Sequence, residues 1–110
     1  DEAAVLAWLD GGGRVDATFT VEGLSGITLL IAAAIFGHDW LAAALLQRGA
    51  STDLWNSNGL TALMFAAHEG HERVVELLLQ HAAEVNLQNS NGSTALMVTA
   101  QEGHERVVEL

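Results

Sequence analysis

The sequence predicts an all-α fold, a solenoid of stacked helix-turn-helix units with projecting turns. The strongest support is an internal repeat, because residues 56–77 and 89–110 are identical at 18 of 22 positions with an offset of 33. A fixed period of this size is typical of arrays in which small supersecondary units stack side by side. The second support is the regular recurrence of Asn and Gly, which end helices and form tight turns.

Within one unit, each element follows from its local residues. Asn58 and Gly59 predict a tight turn, since both residues tolerate positive φ. Thr61 is a natural N-cap for a first helix, which then ends at Gly70. Residues 71–80 read HERVVELLLQ and predict a second helix with a broad buried face.

Length and composition limit the class of protein. The chain has 110 residues, which suits a single domain. Half of the residues are hydrophobic and 5% are aromatic, so we expect a core of Leu, Val and Ala. Cysteine is absent, which excludes disulfides, thiolate chemistry and cysteine-based zinc sites.

The charge and the hydropathy pattern bear on partners and location. Four basic and 14 acidic residues give a net charge of −10, so we expect no nucleic-acid partner and no acidic membrane surface. The longest nearly apolar run, residues 27–36, is interrupted by Thr28 and is too short to span a bilayer. The first residues, DEAAVLAWLD, lack the basic region of a signal peptide. The expected location is therefore the cytoplasm, although the sequence also leaves other compartments open.

The repeated unit resembles the ankyrin repeat. The motifs that carry the resemblance are NSNGLTAL (56–63), AAHEGH (66–71), VVELLL (74–79) and AEVN (83–86). An upstream copy matches in GITLL (26–30), AAIFGH (33–38) and LLQRGA (45–50). In this frame residues 1–110 form one domain, divided into a partial repeat 1–22, repeats 23–55 and 56–88, and a truncated repeat 89–110.

The resemblance implies a function as well as a fold. In ankyrin arrays the first helices and the turns form a concave face, and the second helices form the convex back. Such arrays bind other proteins and carry no chemistry of their own. The resemblance therefore implies a heteromeric protein complex, with no enzymatic activity, no cofactor and no small-molecule substrate.

Some residues depart from the family pattern. Met64 stands where the family has His, so we expect apolar packing to replace the usual hydrogen bond between repeats. Ala82 stands where Gly ends the second helix, and at a left-handed position Ala costs roughly 1 kcal/mol. Thr99 stands where the family buries Ala, which predicts mild strain.

The candidate binding site is a group of mostly apolar residues at positions that vary and face solvent in this family. Contiguous exposed apolar surface usually marks an interface, and aromatic residues are the expected anchors. The predicted partner-binding residues are Leu24, Ile27, Ile35, Phe36, Trp55 and Leu60, with His68 at the edge.

An alternative interpretation is that part of this group is internal. Between Gly12 and Gly26 lie four more residues than between Gly49 and Gly59, so the loop of residues 16–26 is enlarged. Ile27, Ile35 and Phe36 would then pack beneath that loop against Phe19 and Val21.

Two further tryptophans need separate interpretations. Trp40 occupies the position of Arg73 in the next unit, and packing against a neighbour or the Phe19 loop is favoured over a second contact surface. Trp8 stands where the second helix buries Leu, so we expect it in the core.

Histidine spacing gives little support for an enzyme. His68 and His71 are three residues apart across Gly70, whereas a zinc-binding helix needs His at i and i+4. His71 falls in a Gly-His turn, where a structural role is ordinary. We therefore expect neither a metal site nor catalysis.

Two origins and two functions remain open. Near-identical final copies beside an altered middle copy favour a designed or selected binder, and the rival is a fragment of a recently duplicated natural array. The alternative function is architectural, with the apolar residues packing against the enlarged loop or another copy of the chain.

Overall fold

The computed structural model describes residues 2–81. Residues 1 and 82–110, and with them the predictions for Ala82, Thr99 and the last repeat, lie outside the described part. The elements are α1 (Glu2–Asp10), β1 (Thr18–Val21), β2 (Leu24–Thr28), α2 (Leu29–Phe36), α3 (Asp39–Gln47), α4 (Ala62–Glu69) and α5 (Glu72–Gln80). The helix pairs α2/α3 and α4/α5 confirm the predicted helix-turn-helix units.

The first helix of each unit has matching caps. The hydroxyl oxygens of Thr28 and Thr61 accept hydrogen bonds from the backbone N–H three residues further on, at 3.1 and 3.3 Å. At the other end, Gly37 and Gly70 adopt left-handed backbone with φ of 71° and 73°. The sequence prediction of a helix between Thr61 and Gly70 is therefore confirmed.

The helices stack in two layers. Helix α2 packs on α4, and α3 packs on α5, while each unit is closed by contact between its own two helices. The interior is apolar, and Ile31 and Met64 are 1% and 2% exposed. Apolar packing therefore occupies position 64, where the family has His, and the corresponding position 31 of the preceding unit. The largest side chains with almost no exposed surface are those of Ile27, Leu30, Ile31, Leu45, Met64, Leu78 and Val74.

A histidine also links the two units. The Nε2 atom of His71, before α5, lies 3.2 Å from the backbone oxygen of Ile35 in α2. The His71 ring rests on Gly37, where an added Cβ would lie 2.7 Å from ring atoms. His71 thus has the structural role that its Gly-His turn indicates, and here that role is to join two repeats.

The enlarged segment before α2 forms a β-hairpin. Strands β1 and β2 are antiparallel, with Phe19 opposite Ile27 and a shift of register before Val21. The tight turn has φ of 50° at Glu22 and 83° at Gly23, and a two-residue turn with both values positive suits a right-twisted hairpin. The sequence prediction of an enlarged loop missed this strand pair.

Candidate protein-binding surface

The two predicted aromatic anchors expose much of their surface. Phe36, the last residue of α2, is 48% exposed, and Trp55, in the connection before α4, is 58% exposed. Large aromatic side chains are common anchors at protein–protein interfaces. A neighbouring residue, Leu54, is 39% exposed and was missed by the sequence prediction, although its position beside Trp55 was a usable signal.

The remaining predicted site residues differ in exposure. Leu24, Ile35 and Leu60 are half-buried and pack against the hydrophobic core, so each offers only part of its side chain to solvent. His68 is exposed on the last turn of α4, and its Nδ1 atom lies 3.0 Å from Oε1 of Glu69. These four residues therefore add limited apolar area and one polar group to the surface.

Ile27 does not belong to this surface, and the prediction that it binds a partner is wrong. Its side chain is 0% exposed and belongs to the buried hydrophobic core. Burial agrees with the alternative interpretation for Ile27 in so far as that interpretation made the residue internal. It is wrong for Phe36, which is half exposed.

The predictions for Trp40 and Trp8 also need correction. Trp40, in the first turn of α3, is 54% exposed rather than packed under a neighbour or under the Phe19 segment. Trp8 is 44% exposed rather than buried in the core. Its ring lies edge-on to that of Phe19 with centroids 6.2 Å apart, and it covers Gly13, where a Cβ would overlap the indole.

The connection that carries Trp55 is organised by Asn56, which is 2% exposed. The Oδ1 atom of Asn56 accepts hydrogen bonds from the backbone N–H groups of Asn58 and Leu60, both at 3.0 Å. Gly59 has a φ of 76° and donates its N–H to the backbone oxygen of Asn56 at 3.0 Å. Asn56 therefore fixes the backbone between Trp55 and Leu60.

A shallow groove of about 300 Å³ lies beside the two Gly-His turns. Sites for small ligands are mostly apolar with a few polar groups, whereas this lining is largely charged or glycine. The groove is lined by Gly37, Asp39, Gly70, His71, Glu72, Arg73 and Val74. It therefore lacks the character of a small-molecule pocket.

Across residues 2–81, no helix combines the length and apolar character needed to cross a membrane. Over the same residues, no three or more His, Asp or Glu side chains come together in a way that could hold a metal ion.

Comparison with known proteins places the repeats in a family. The family model described as ankyrin repeats (3 copies) matches residues 3–89 and 29–110, which together cover nearly the whole chain. No curated protein matches the chain. Members of this family are generally protein–protein interaction modules. The helix-turn-helix units and the family match agree, and the chain belongs to the ankyrin-repeat family.

Proposed function

We propose that this protein is a binding module that recognises a partner protein through the aromatic surface, defined by Phe36 and Trp55. The observation that carries the proposal is that these side chains are 48% and 58% exposed although both sit on well-fixed backbone. Interface energy is concentrated in a few aromatic anchors surrounded by weaker contacts. Half-buried Leu24, Ile35 and Leu60 would provide such surrounding contacts, with His68 at the rim.

Preorganisation supports the proposal. Phe36 ends a helix that is closed by the left-handed Gly37, and the connection holding Trp55 is fixed by Asn56. Binding then requires little ordering of the backbone, which otherwise subtracts from affinity. The side chains of the two anchors have few rotatable bonds, so their own ordering costs little.

Charge indicates the kind of partner. The net charge of −10 with no lysine favours association with a protein that presents basic residues around an apolar contact. Such complementarity mainly raises the rate of association and excludes acidic competitors.

The same proposal includes a designed or selected origin, supported by the near-identity of residues 56–77 and 89–110 beside the altered copy in 23–55.

The proposal is tested by alanine substitution of the two anchors. A partner is first obtained by affinity capture with the wild-type chain, and its dissociation constant is measured by calorimetry. We expect Phe36→Ala and Trp55→Ala each to weaken binding roughly thirtyfold, equivalent to about 2 kcal/mol. Circular dichroism confirms that each variant is folded.

Trp40→Ala is the matched control, because Trp40 is 54% exposed but lies on the second helix of its unit. We expect that substitution to leave the affinity nearly unchanged. Wild-type affinity in both anchor variants, with loss in Trp40→Ala, would move the site to the second-helix face. Sedimentation velocity tests the architectural alternative, since concentration-dependent dimerisation lost with Phe36→Ala would show that the surface pairs copies of the chain.

A further inference from the structure

We propose that the outer edge of strand β1 (Thr18–Val21) binds an extended segment of another protein, whose uncharged centre is flanked by basic residues. The segment would add a third strand to the β1–β2 hairpin. This edge is separate from the aromatic surface, so the inference goes beyond the proposed function and does not depend on it.

The first observation is that β1 has only one strand neighbour. In residues 2–81 the sheet has two strands, and β1 pairs only with β2. The other edge of β2 already has a hydrogen-bonded neighbour, because the Ser25 backbone oxygen accepts a hydrogen bond from the Ser57 N–H at 3.3 Å. Backbone hydrogen bonds therefore connect β1, β2 and the segment at Ser57, and β1 lies at the outer end. A further strand could pair at the outer edge of β1.

The second observation is that the residues of this edge strand include no charge and no proline. Strand β1 reads TFTV, without charge or proline, and its first three residues are exposed. Natural edge strands that avoid pairing are commonly guarded by lysine, proline, bulges or short length, and β1 has the last two, with four residues and one register shift. The register shift here falls between Phe19 and Val21, towards the turn, so Thr18 and Phe19 remain in regular register.

The third observation is that the hairpin is a rigid template. Strand β2 ends in Ile27 and Thr28, which are 0% and 2% exposed, and Thr28 caps α2. Before β1, the Asp16 Oδ1 atom accepts a hydrogen bond from the Ser51 N–H at 3.0 Å. A template anchored at both ends can accept a strand without first ordering its own backbone.

Side chains next to the edge supply apolar contact. Trp8 and Phe19 form an edge-on aromatic pair and are 44% and 41% exposed. In strand addition the backbone hydrogen bonds give affinity, and pockets for alternate side chains give specificity. A Val or another β-branched residue of the added strand could pack on this pair.

Charge decides between a second copy and a different protein. Asp16 precedes β1 and Glu22 follows it, so antiparallel pairing of two β1 strands would bring these carboxylates of opposite chains close together. The net charge of −10 adds a general repulsion between copies. A segment with lysines at its ends instead places positive charge beside both carboxylates.

The test titrates the full 110-residue chain with a synthetic peptide, KTVTVTK. Binding is followed through the backbone amide signals of the protein by NMR. We expect saturable binding, with shifts concentrated at the Thr18–Val21 amides and slower hydrogen exchange there. A peptide methylated at alternate backbone nitrogens should bind at least tenfold more weakly, because it cannot form the ladder. Replacement of its lysines by glutamates should abolish binding.

Variants separate this edge from the rest of the surface. Glu22→Asn removes the charge at the turn, and Asn accepts positive φ, so the hairpin is kept. We expect Glu22→Asn to lower the affinity for KTVTVTK several-fold. Glu76→Gln on α5 removes the same charge and should leave that affinity unchanged. Phe36→Ala and Trp55→Ala should also bind the peptide normally.

Three outcomes would overturn the proposal. They are absence of saturable binding up to millimolar peptide, equal binding of the methylated peptide, and shifts centred on Phe36 or Trp55 instead of β1. The last outcome would leave the proposed function standing, and unchanged partner binding in the anchor variants, which would overturn the proposed function, would not affect the edge. Failure of one proposal is thus distinguishable from failure of the other.

Discussion

At the scale of single residues, Gly37 and Gly49 have similar backbone but different surroundings. Both are left-handed, with φ of 71° and 84°, so Ala at either position costs roughly 1 kcal/mol through backbone strain. A Cβ on Gly37 would also lie 2.7 Å from the His71 ring, whereas one on Gly49 would meet nothing within 4 Å. We expect Gly37→Ala to lower the free energy of unfolding clearly more than Gly49→Ala, measured by urea denaturation.

The double variant Gly37→Ala/His71→Ala provides the control for this contact. If the His71 ring causes the extra loss, the two substitutions should be strongly non-additive, because removing the ring relieves the overlap. Equal losses for Gly37→Ala and Gly49→Ala would mean that the ring moves aside easily. The link between the repeats through Ile35 would then contribute little.

Ile27 shows where reasoning from single positions fails. The repeat frame aligns Ile27 with Leu60, a position that varies and faces solvent in the family. Leu60 is half-buried, whereas the Ile27 side chain is 0% exposed and belongs to the buried core. Alignment to a repeat gives the position along the backbone, whereas exposure depends on what the neighbouring segment covers.

At the scale of elements, the connection before α4 depends on one buried side chain. Asn56→Ala removes the acceptor of two part-buried hydrogen bonds, from the N–H groups of Asn58 and Leu60, and at about 0.5–1.5 kcal/mol for each bond the pair contributes about 1–3 kcal/mol. We expect a loss of stability in that range by urea denaturation. In a Trp8→Phe/Trp40→Phe background, where Trp55 is the one tryptophan left, fluorescence of the folded state should also change, because the Trp55 backbone is no longer fixed.

Asn56→Asp is the informative companion to this variant. It keeps an oxygen at the accepting position and replaces the Nδ2 atom, which is buried without a hydrogen-bond partner in the described residues. We expect it to be more stable than Asn56→Ala. If the two variants were equally unstable, the accepted hydrogen bonds would not be the reason for the loss.

The elements were predictable to different degrees. The units α2/α3 and α4/α5 follow from threonine caps, glycine stops and apolar spacing, which are local signals. The β1–β2 hairpin was missed, although TFTV is rich in β-forming residues and Glu22-Gly23 can form its turn. Strands of four and five residues carry too little periodicity to stand out when the surrounding pattern is helical.

The candidate surface was predictable only in its aromatic anchors. Phe36 and Trp55 stand at positions where other copies of the repeat are less bulky, and both are exposed. Trp8 and Trp40 were expected to be packed, yet each exposes close to half of its surface. A large aromatic residue can be either buried or exposed in a folded protein. Which of the two applies depends on contacts between elements, and a local sequence pattern does not contain those contacts.

At the scale of the whole molecule, excess negative charge acts on folding. The net charge is −10, and the compact state brings the carboxylates closer together than the unfolded chain does. Attractive pairs such as Arg48–Asp10 and Arg73–Glu76 are well exposed, and each such pair contributes only about 0–1 kcal/mol. Repulsion should therefore outweigh attraction in this chain.

We accordingly expect added salt to stabilise the protein. Raising sodium chloride from about 10 mM to about 150 mM shortens the screening length from roughly 30 Å to 8 Å, which weakens repulsion between distant carboxylates most. The free energy of unfolding, measured with uncharged urea, should increase over this range and change little beyond it. A decrease with salt would instead mean that the ion pairs dominate. Because screening also weakens attraction to a basic partner, the same salt should stabilise the free protein while reducing its rate of association.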